Sequence, residues 1–120
     1  MKILYIAGPY RGADYLAIER NIAKAREAAA WLARNGIGFV CPHLNSAHFE
    51  AITPEVDEDF WLTMDMHLLF DCDGLLLIDG WQGSTGALAE KSVAEEQNKP
   101  VFEWRVSGEE TARLMQWATS

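Results

Sequence analysis

Residues 74–90 read GLLLIDGWQGSTGALAE: an apolar run, a loop with three glycines, and an alanine-rich segment that ends on a glutamate. The run 74–78 has the length and composition of a buried strand. Ser84 and Thr85 commonly begin helices, because their hydroxyls accept bonds from free backbone N–H groups. A strand that leads directly into a helix is typical of parallel sheets, whose neighbouring strands must be joined by crossovers.

The same alternation extends along all 120 residues, with a long loop expected at 43–56. A chain of this length fits one domain. We therefore predict a single α/β domain over residues 1–120, a small doubly wound, flavodoxin- or Rossmann-like parallel sheet of four to five strands flanked by helices. The predicted strands are 2–7, 37–41, 73–78 and 101–104, and the predicted helices are 15–35, 58–70, 84–98 and 107–118.

Composition and charge argue against several classes of function. The formal net charge of −8 argues against binding to a nucleic-acid polymer, whose phosphates attract a basic surface. No apolar run approaches the roughly 20 residues that span a bilayer, and the first residues read as a strand and not as a signal peptide. We therefore expect a cytoplasmic protein without a membrane partner. Neither a GxGxxG nor a P-loop pattern is present, and no cofactor is expected.

Cys41 and Cys72 stand at the edges of apolar runs. Their spacing matches no CxxC or Cys/His metal motif, so we expect no metal site and two buried free thiols in a reducing compartment. A disulfide between the two cysteines is the alternative that the sequence leaves open.

Ligands of doubly wound sheets bind beyond the carboxyl ends of the strands. Three loops should meet there: 8–13 (GPYRGA), 41–48 (CPHLNSAH) and 79–86 (DGWQGSTG). Arg11 offers a guanidinium suited to phosphate, although a solvated arginine explains it equally well. Trp81 offers a ring that stacks on a base or anchors its own loop. The candidate substrate-binding residues are Gly8, Pro9, Tyr10, Arg11, His43, Asp79, Trp81, Gly83, Ser84 and Gly86.

Two carboxylates are candidate catalytic groups. Glu90 is the only large polar residue on a helical face of small residues, which includes Gly83, Gly86 and Ala87. That pattern alone favours a solvated or capping glutamate. Asp65 lies in the second long helix near its apolar side, an unusual place because aspartate competes for backbone hydrogen bonds. A structural role, such as bonding to a neighbouring loop, is its alternative.

Four motifs, taken in order, resemble a known family. They are ILYIAGPYRG, CPH, WLTMDMHLLFDCDGLLLI and GSTGALAE. Their order and spacing resemble the nucleoside 2-deoxyribosyltransferase superfamily, chiefly its small bacterial and phage members of unassigned function. They are also similar to its 2'-deoxynucleoside 5'-monophosphate N-hydrolase branch. The resemblance covers residues 1 to about 101, and it implies a small-molecule nucleoside or nucleotide as substrate and a homo-oligomer.

The resemblance also implies roles for individual residues. Glu90 matches the glutamate that attacks the anomeric carbon of the sugar and displaces the base. Asp65, eight residues before Asp73, matches an aspartate that helps with the sugar and with proton transfer. Tyr5 matches the tyrosine that orients the nucleophile. Glu90, Asp65 and Tyr5 are therefore the predicted catalytic residues.

The phosphate-binding part of the pattern is matched incompletely. Arg11 and Ser84 match the residues that hold the phosphate in the monophosphate hydrolases, but Pro9 stands where that branch carries a serine. The predicted function is cleavage or transfer of an N-glycosidic bond on a nucleoside or its 5'-monophosphate. The alternative is a non-catalytic nucleotide-binding or sensing module that uses the same pocket. A plain interaction domain leaves the glycine and alanine face unexplained.

Overall fold

The computed structural model describes residues 1–120 and contains one four-stranded sheet flanked by helices. The predicted doubly wound α/β fold is therefore confirmed, with four strands. The strands are β1 (Ile3–Ala7), β2 (Gly38–Val40), β3 (Gly74–Leu77) and β4 (Val101–Glu103); the helices are α1 (Tyr15–Arg34), α2 (Pro42–Asn45), α3 (Phe49–Ile52), α4 (Glu58–Asp71), α5 (Thr85–Glu96) and α6 (Gly108–Ala118), with a 3-10 turn at Trp81–Gly83.

The strand order is β2-β1-β3-β4, and every neighbouring pair is parallel. The direction of winding reverses between β1 and β3, so these two central strands form the switch point at which ligands of such sheets bind. Gly8 follows β1 at this point, and a Cβ atom there would lie 2.2 Å from Cγ1 of Ile78. The loops that leave β1 and β3 can therefore approach closely only with glycine at this position.

The two faces of the sheet carry separate hydrophobic cores, because successive strand residues point to opposite sides. Leu4, Ile6 and Leu76 pack with α1 and α6 on one side, which we call the α1 face. Tyr5 and Leu77 pack with α4 and α5 on the other, the α4–α5 face. The alternation along β1 thus places Tyr5 beneath the two helices that carry the predicted catalytic carboxylates.

The prediction of a long loop at 43–56 is wrong, because the segment contains most of the short helix α2 and all of the short helix α3. Pro42 begins α2, a position where its missing N–H group costs no hydrogen bond. His48 precedes α3 with a φ of 63°, in the left-handed region. Helices of four residues show no periodicity in a sequence and are held by tertiary contacts, which explains why pattern alone missed them.

Ser107 and Glu110 have the spacing of a capping box at the start of α6, but only half of the box forms. The Ser107 hydroxyl accepts a bond from the Glu110 N–H at 3.1 Å. The Glu110 carboxylate, however, accepts from the Glu103 N–H of β4 at 2.8 Å instead of reaching back to the cap. Glu110 therefore ties α6 to the edge strand.

Both cysteines are buried free thiols, as predicted. Cys41 belongs to the core of the α1 face and Cys72 to that of the α4–α5 face, so the sheet separates them and a disulfide is excluded. Burial raises the pKa of each thiol to about 11. None of the helices is both long and apolar enough to cross a bilayer.

Candidate active site

Tyr5 and Glu90 are in direct contact between β1 and α5. The Tyr5 hydroxyl donates a hydrogen bond to Oε2 of Glu90. Tyr5 is fully buried, and Glu90 is partly buried on the side of α5 that packs on the sheet. Glu90 is therefore no solvated surface residue, which was the interpretation that the helical pattern alone favoured.

Asp65 is the third member of this group. It lies on α4, which packs beside α5, and its charge acts on both Glu90 and Tyr5. Its Oδ1 atom is buried without a hydrogen-bond partner. A buried oxygen of this kind is a free acceptor for a donor supplied by a ligand. The fold thus brings together the three residues predicted as catalytic, from β1, α4 and α5.

Burial controls the protonation of these groups. It raises the pKa of Glu90 to about 7; the hydrogen bond from Tyr5 lowers that pKa, and the charge of Asp65 raises it. Burial likewise raises the pKa of Asp65 to about 6. The pKa of Tyr5 rises through burial and the neighbouring carboxylates, so its hydroxyl stays neutral and acts as a donor.

The start of α5 leaves open space beside this group. A Cβ atom added at Gly83 or Gly86 would meet no atom within 4 Å. Ser84, between them, is the N-cap residue, and its hydroxyl accepts from the Ala87 N–H at 3.1 Å. Ser84 therefore has the capping role that its position predicts, while its hydroxyl hydrogen remains available to a ligand.

The polar side chains of the first loop are engaged with the segment around α3 and the start of α4. Arg11 forms an exposed ion pair with Glu58. The Tyr10 hydroxyl donates to the Glu50 carboxylate at 3.0 Å and accepts from the His48 N–H at 2.8 Å. The structure thus pairs Arg11 with a carboxylate. The sequence does not show this pair, because it forms only when residues 49–58 fold over the first loop.

His43 does not line an open pocket. It is 4% exposed, and its Nε2 atom lies 2.9 Å from the carbonyl oxygen of Pro9. Its ring meets that of Tyr10 edge to face at 5.8 Å. The side chain therefore supports the first loop from behind, a buried position that differs from the pocket-lining position that the sequence predicted.

Asp79 and Trp81 belong to a different cleft. It has a volume of about 450 Å³ and lies between α1 and the carboxyl ends of β3 and β4. Asp79 pairs there with Lys24 of α1 at 3.5 Å. Trp81 also contacts the core of the α4–α5 face. Glu90, Asp65 and Tyr5 do not line this cleft. Lys24 and residues 103–106, which do line it, belong to none of the sequence motifs.

Comparison with known families gives one match over most of the chain. The sequence profile of a family described as a domain of unknown function, DUF7768, matches residues 2–104. The chain belongs to the DUF7768 family. The match includes Tyr5, Asp65 and Glu90, so all three lie inside the DUF7768 domain. The curated proteins contain no match to the chain.

A solved structure shares the DUF7768 fold seen here. It is the 2-deoxyribosyltransferase from the psychrotolerant bacterium Bacillus psychrosaccharolyticus, with a TM-score of 0.59 and 21% sequence identity over 84% of this chain and 70% of the enzyme chain. The likeness shows a common fold, which agrees with the fold that the sequence resemblance implies.

Proposed function

We propose that this protein cleaves the N-glycosidic bond of a nucleoside or a nucleoside 5'-monophosphate, with Glu90 as the nucleophile. The observation that carries the proposal is the partly buried Glu90 carboxylate, which is bonded to Tyr5 and lies within range of the charge of Asp65, a residue with one buried oxygen that has no hydrogen-bond partner. The resemblance of the motifs to deoxyribosyltransferases and the fold shared with one such enzyme support it.

The reaction has two displacement steps. A Glu90 oxygen attacks the anomeric carbon, the bond from that carbon to the base nitrogen breaks, and the base leaves with the electron pair and takes up a proton. The sugar is then held as an ester of Glu90. Attack on the same carbon by water gives hydrolysis, attack by a second base gives transfer, and either releases the Glu90 carboxylate.

Tyr5 orients the nucleophile. Its neutral hydroxyl occupies Oε2 of Glu90, so the Oε1 atom is the one left to attack. Holding a carboxylate at a fixed position offsets its weak nucleophilicity, because well-oriented groups reach effective molarities of about 10⁵ M or more. The open space beside Gly86 gives the sugar a way to approach.

Asp65 acts in this proposal as an acceptor for a sugar hydroxyl. Burial raises the pKa of Asp65 as it raises that of Glu90, so the two carboxyls take up protons in the same pH range. Asp65 gives its proton to the leaving base when it is protonated, and solvent supplies that proton otherwise.

Whether the protein accepts a charged 5'-monophosphate or only an uncharged nucleoside depends on Arg11. Both members of the Arg11–Glu58 pair are largely exposed, and such pairs contribute only about 0–1 kcal/mol. A phosphate offers Arg11 a stronger, charge-assisted bond. A 5'-monophosphate is therefore accepted if it displaces Glu58 from Arg11, and an uncharged nucleoside binds with the pair intact.

The proposal includes a homo-oligomer that covers α4. Leu69 is the only buried residue of this helix, whereas Phe60, Leu62 and Phe70 are largely exposed. A helix that carries apolar side chains all round is typically buried, so we expect a second copy of the chain to cover this one. Sedimentation or light scattering of the purified protein tests this part of the proposal, and a strict monomer at micromolar concentration contradicts it.

Incubation of the purified protein with ribo- and deoxyribonucleosides and their 5'-monophosphates, with and without a free acceptor base, tests the activity. We expect release of free base from at least one substrate, and loss of release with binding retained in Glu90→Ala. Binding by the folded wild-type protein without release from any substrate contradicts catalysis and supports the sensing alternative.

A further inference from the structure

His43 is the only residue with a basic side chain among the 23 buried residues. A carbonyl oxygen only accepts hydrogen bonds, so the bond to the Pro9 oxygen at 2.9 Å requires the proton on Nε2 of His43. Nδ1 then carries a lone pair, and it is buried without a partner. The contact thus selects one neutral tautomer of the ring.

Pro9 lies between the end of β2 and the loop after β3. His43 holds its carbonyl oxygen, and a Cβ atom added at Gly80 would lie 3.1 Å from Cγ of Pro9. Its neighbour Gly8 packs against Ile78. A shift of Pro9 would therefore move the loop of Tyr10 and press on the loop that leads to the open start of α5.

We propose that His43 is a positioning residue, which holds the loop 8–12 against the site through the Pro9 carbonyl and does not itself contact substrate. This inference rests on the proposed function for its kinetic consequence, whereas its structural core, the tautomer and the bond to Pro9, stands independently of any activity.

The surroundings of His43 keep it neutral. Burial lowers the pKa of its imidazole, while the backbone oxygens near it oppose that shift weakly, and no charged side chain contributes. Nδ1 is buried without a hydrogen-bond partner, so the neutral ring donates through Nε2 alone.

Nitrogen NMR of the histidine rings tests the structural core of the proposal. The chain has three histidines, and substitution of His48 and of His67 assigns the three ring signals. We expect the His43 ring to be neutral and to show the Nε2–H tautomer at neutral pH. An Nδ1–H tautomer, or a doubly protonated ring at neutral pH, overturns the proposal without touching the proposed function.

Two variants test the kinetic consequence. His43→Gln keeps an amide N–H near the Nε2 position, whereas His43→Leu fills the space without a donor. With the substrate found in the base-release assay, we expect His43→Leu to raise KM by about tenfold, with a smaller change in kcat, and His43→Gln to restore most of the loss. Equal KM values in His43→Leu and wild type overturn the proposal.

A readout that needs no activity accompanies these kinetics. The amide signals of Gly8 and Gly80 report the two loops on either side of Pro9, and we expect them to shift in His43→Leu and to stay near their wild-type positions in His43→Gln. If His43→Leu does not fold, the ring tautomer and the His43→Gln spectra still decide. If the Gly8 and Gly80 signals shift as far from their wild-type positions in His43→Gln as in His43→Leu, the positioning role is contradicted.

Discussion

Tyr5 and Glu90 lie 85 residues apart in the sequence, and the Tyr5 hydroxyl donates a hydrogen bond to the Glu90 carboxylate. The bond joins the central strand β1 to the helix that follows β3, across the switch point of the sheet. It holds a carboxylate partly buried and in one orientation, and the charge of Asp65 acts on that carboxylate. In the proposed reaction, the second oxygen of the carboxylate held in this way is the one that attacks.

The pH dependence of base release should follow the ionisation of Glu90. Glu90 attacks only as the carboxylate, and its pKa is about 7, so kcat/KM should rise with pH up to about 7 and then level off. Below that pKa we expect a fall of about tenfold for each pH unit. Initial rates in overlapping buffers measure the profile, and a flat profile from mildly acid to mildly basic pH contradicts the role of Glu90.

Tyr5→Phe should move that profile to higher pH. The hydrogen bond from Tyr5 lowers the pKa of Glu90, whereas burial and the charge of Asp65 raise it. Without the bond, the pKa of Glu90 therefore rises. We expect a rate at pH 7 that is lower by about tenfold or more, because an orienting hydrogen bond is lost as well. Tyr15→Phe, at an exposed tyrosine of α1, is the control and should leave the profile in place. An unshifted profile in Tyr5→Phe would count against the contact.

Glu90→Gln should stabilise the protein above neutral pH. Folding raises the pKa of Glu90 from an ordinary 4.5 to about 7, so the folded chain binds more protons than the unfolded chain in that window. Stability is therefore lost as the pH rises through it. We expect Glu90→Gln to increase the free energy of unfolding by on the order of 2 kcal/mol at pH 8 and by little near pH 4.5.

Urea unfolding at the two pH values measures this difference. Glu96→Gln, at an exposed glutamate of the same helix, is the matched control for the loss of one charge from α5. Equal effects of the two substitutions at pH 8 would show that burial of Glu90 carries no cost.

Gly86→Leu should impair substrate binding without impairing the fold. No atom lies within 4 Å of a Cβ at this position, so the added side chain fills only the space that we assign to the ligand. Overlap of this kind costs about 1–3 kcal/mol, which corresponds to a loss of about tenfold or more in affinity. Gly108→Leu at the start of α6, equally open, is the control, and similar losses in both variants refute the assignment.

Glu58→Gln should separate the two substrate classes. It frees Arg11 from its ion pair, so KM for a 5'-monophosphate should fall by about threefold while KM for the matching nucleoside stays unchanged. Arg11→Gln should raise KM for the monophosphate alone. Steady-state kinetics on one nucleoside and its 5'-monophosphate measure both effects, and identical changes for the two substrates show that Arg11 does not meet the phosphate.

Most of the fold could be predicted from the sequence, since each long element leaves a local signal. The helix α1, predicted at 15–35, spans Tyr15–Arg34, and the strand β3, predicted at 73–78, spans Gly74–Leu77. Apolar spacing, helix caps and glycine stops are all read within a few residues of one another. The short helices α2 and α3 were missed because four residues are too few to show a period.

The candidate catalytic group could be predicted only in part. Glu90 and Asp65 each stand out as carboxylates at unusual places, but residue pattern alone left both with ordinary alternatives. The resemblance to a family of enzymes added Tyr5, which as a buried aromatic residue of a strand carries no local signal of its own.

The sequence by itself determined the order of the strands and the long helices along the chain and the two candidate carboxylates. Only the tertiary structure decided the partners: Tyr5 for Glu90, Glu58 for Arg11, and Pro9 for His43. These contacts join residues 85, 47 and 34 positions apart. The reason is physical, because secondary structure follows from interactions within one or two turns, whereas a side chain's partner depends on which elements the sheet order places side by side.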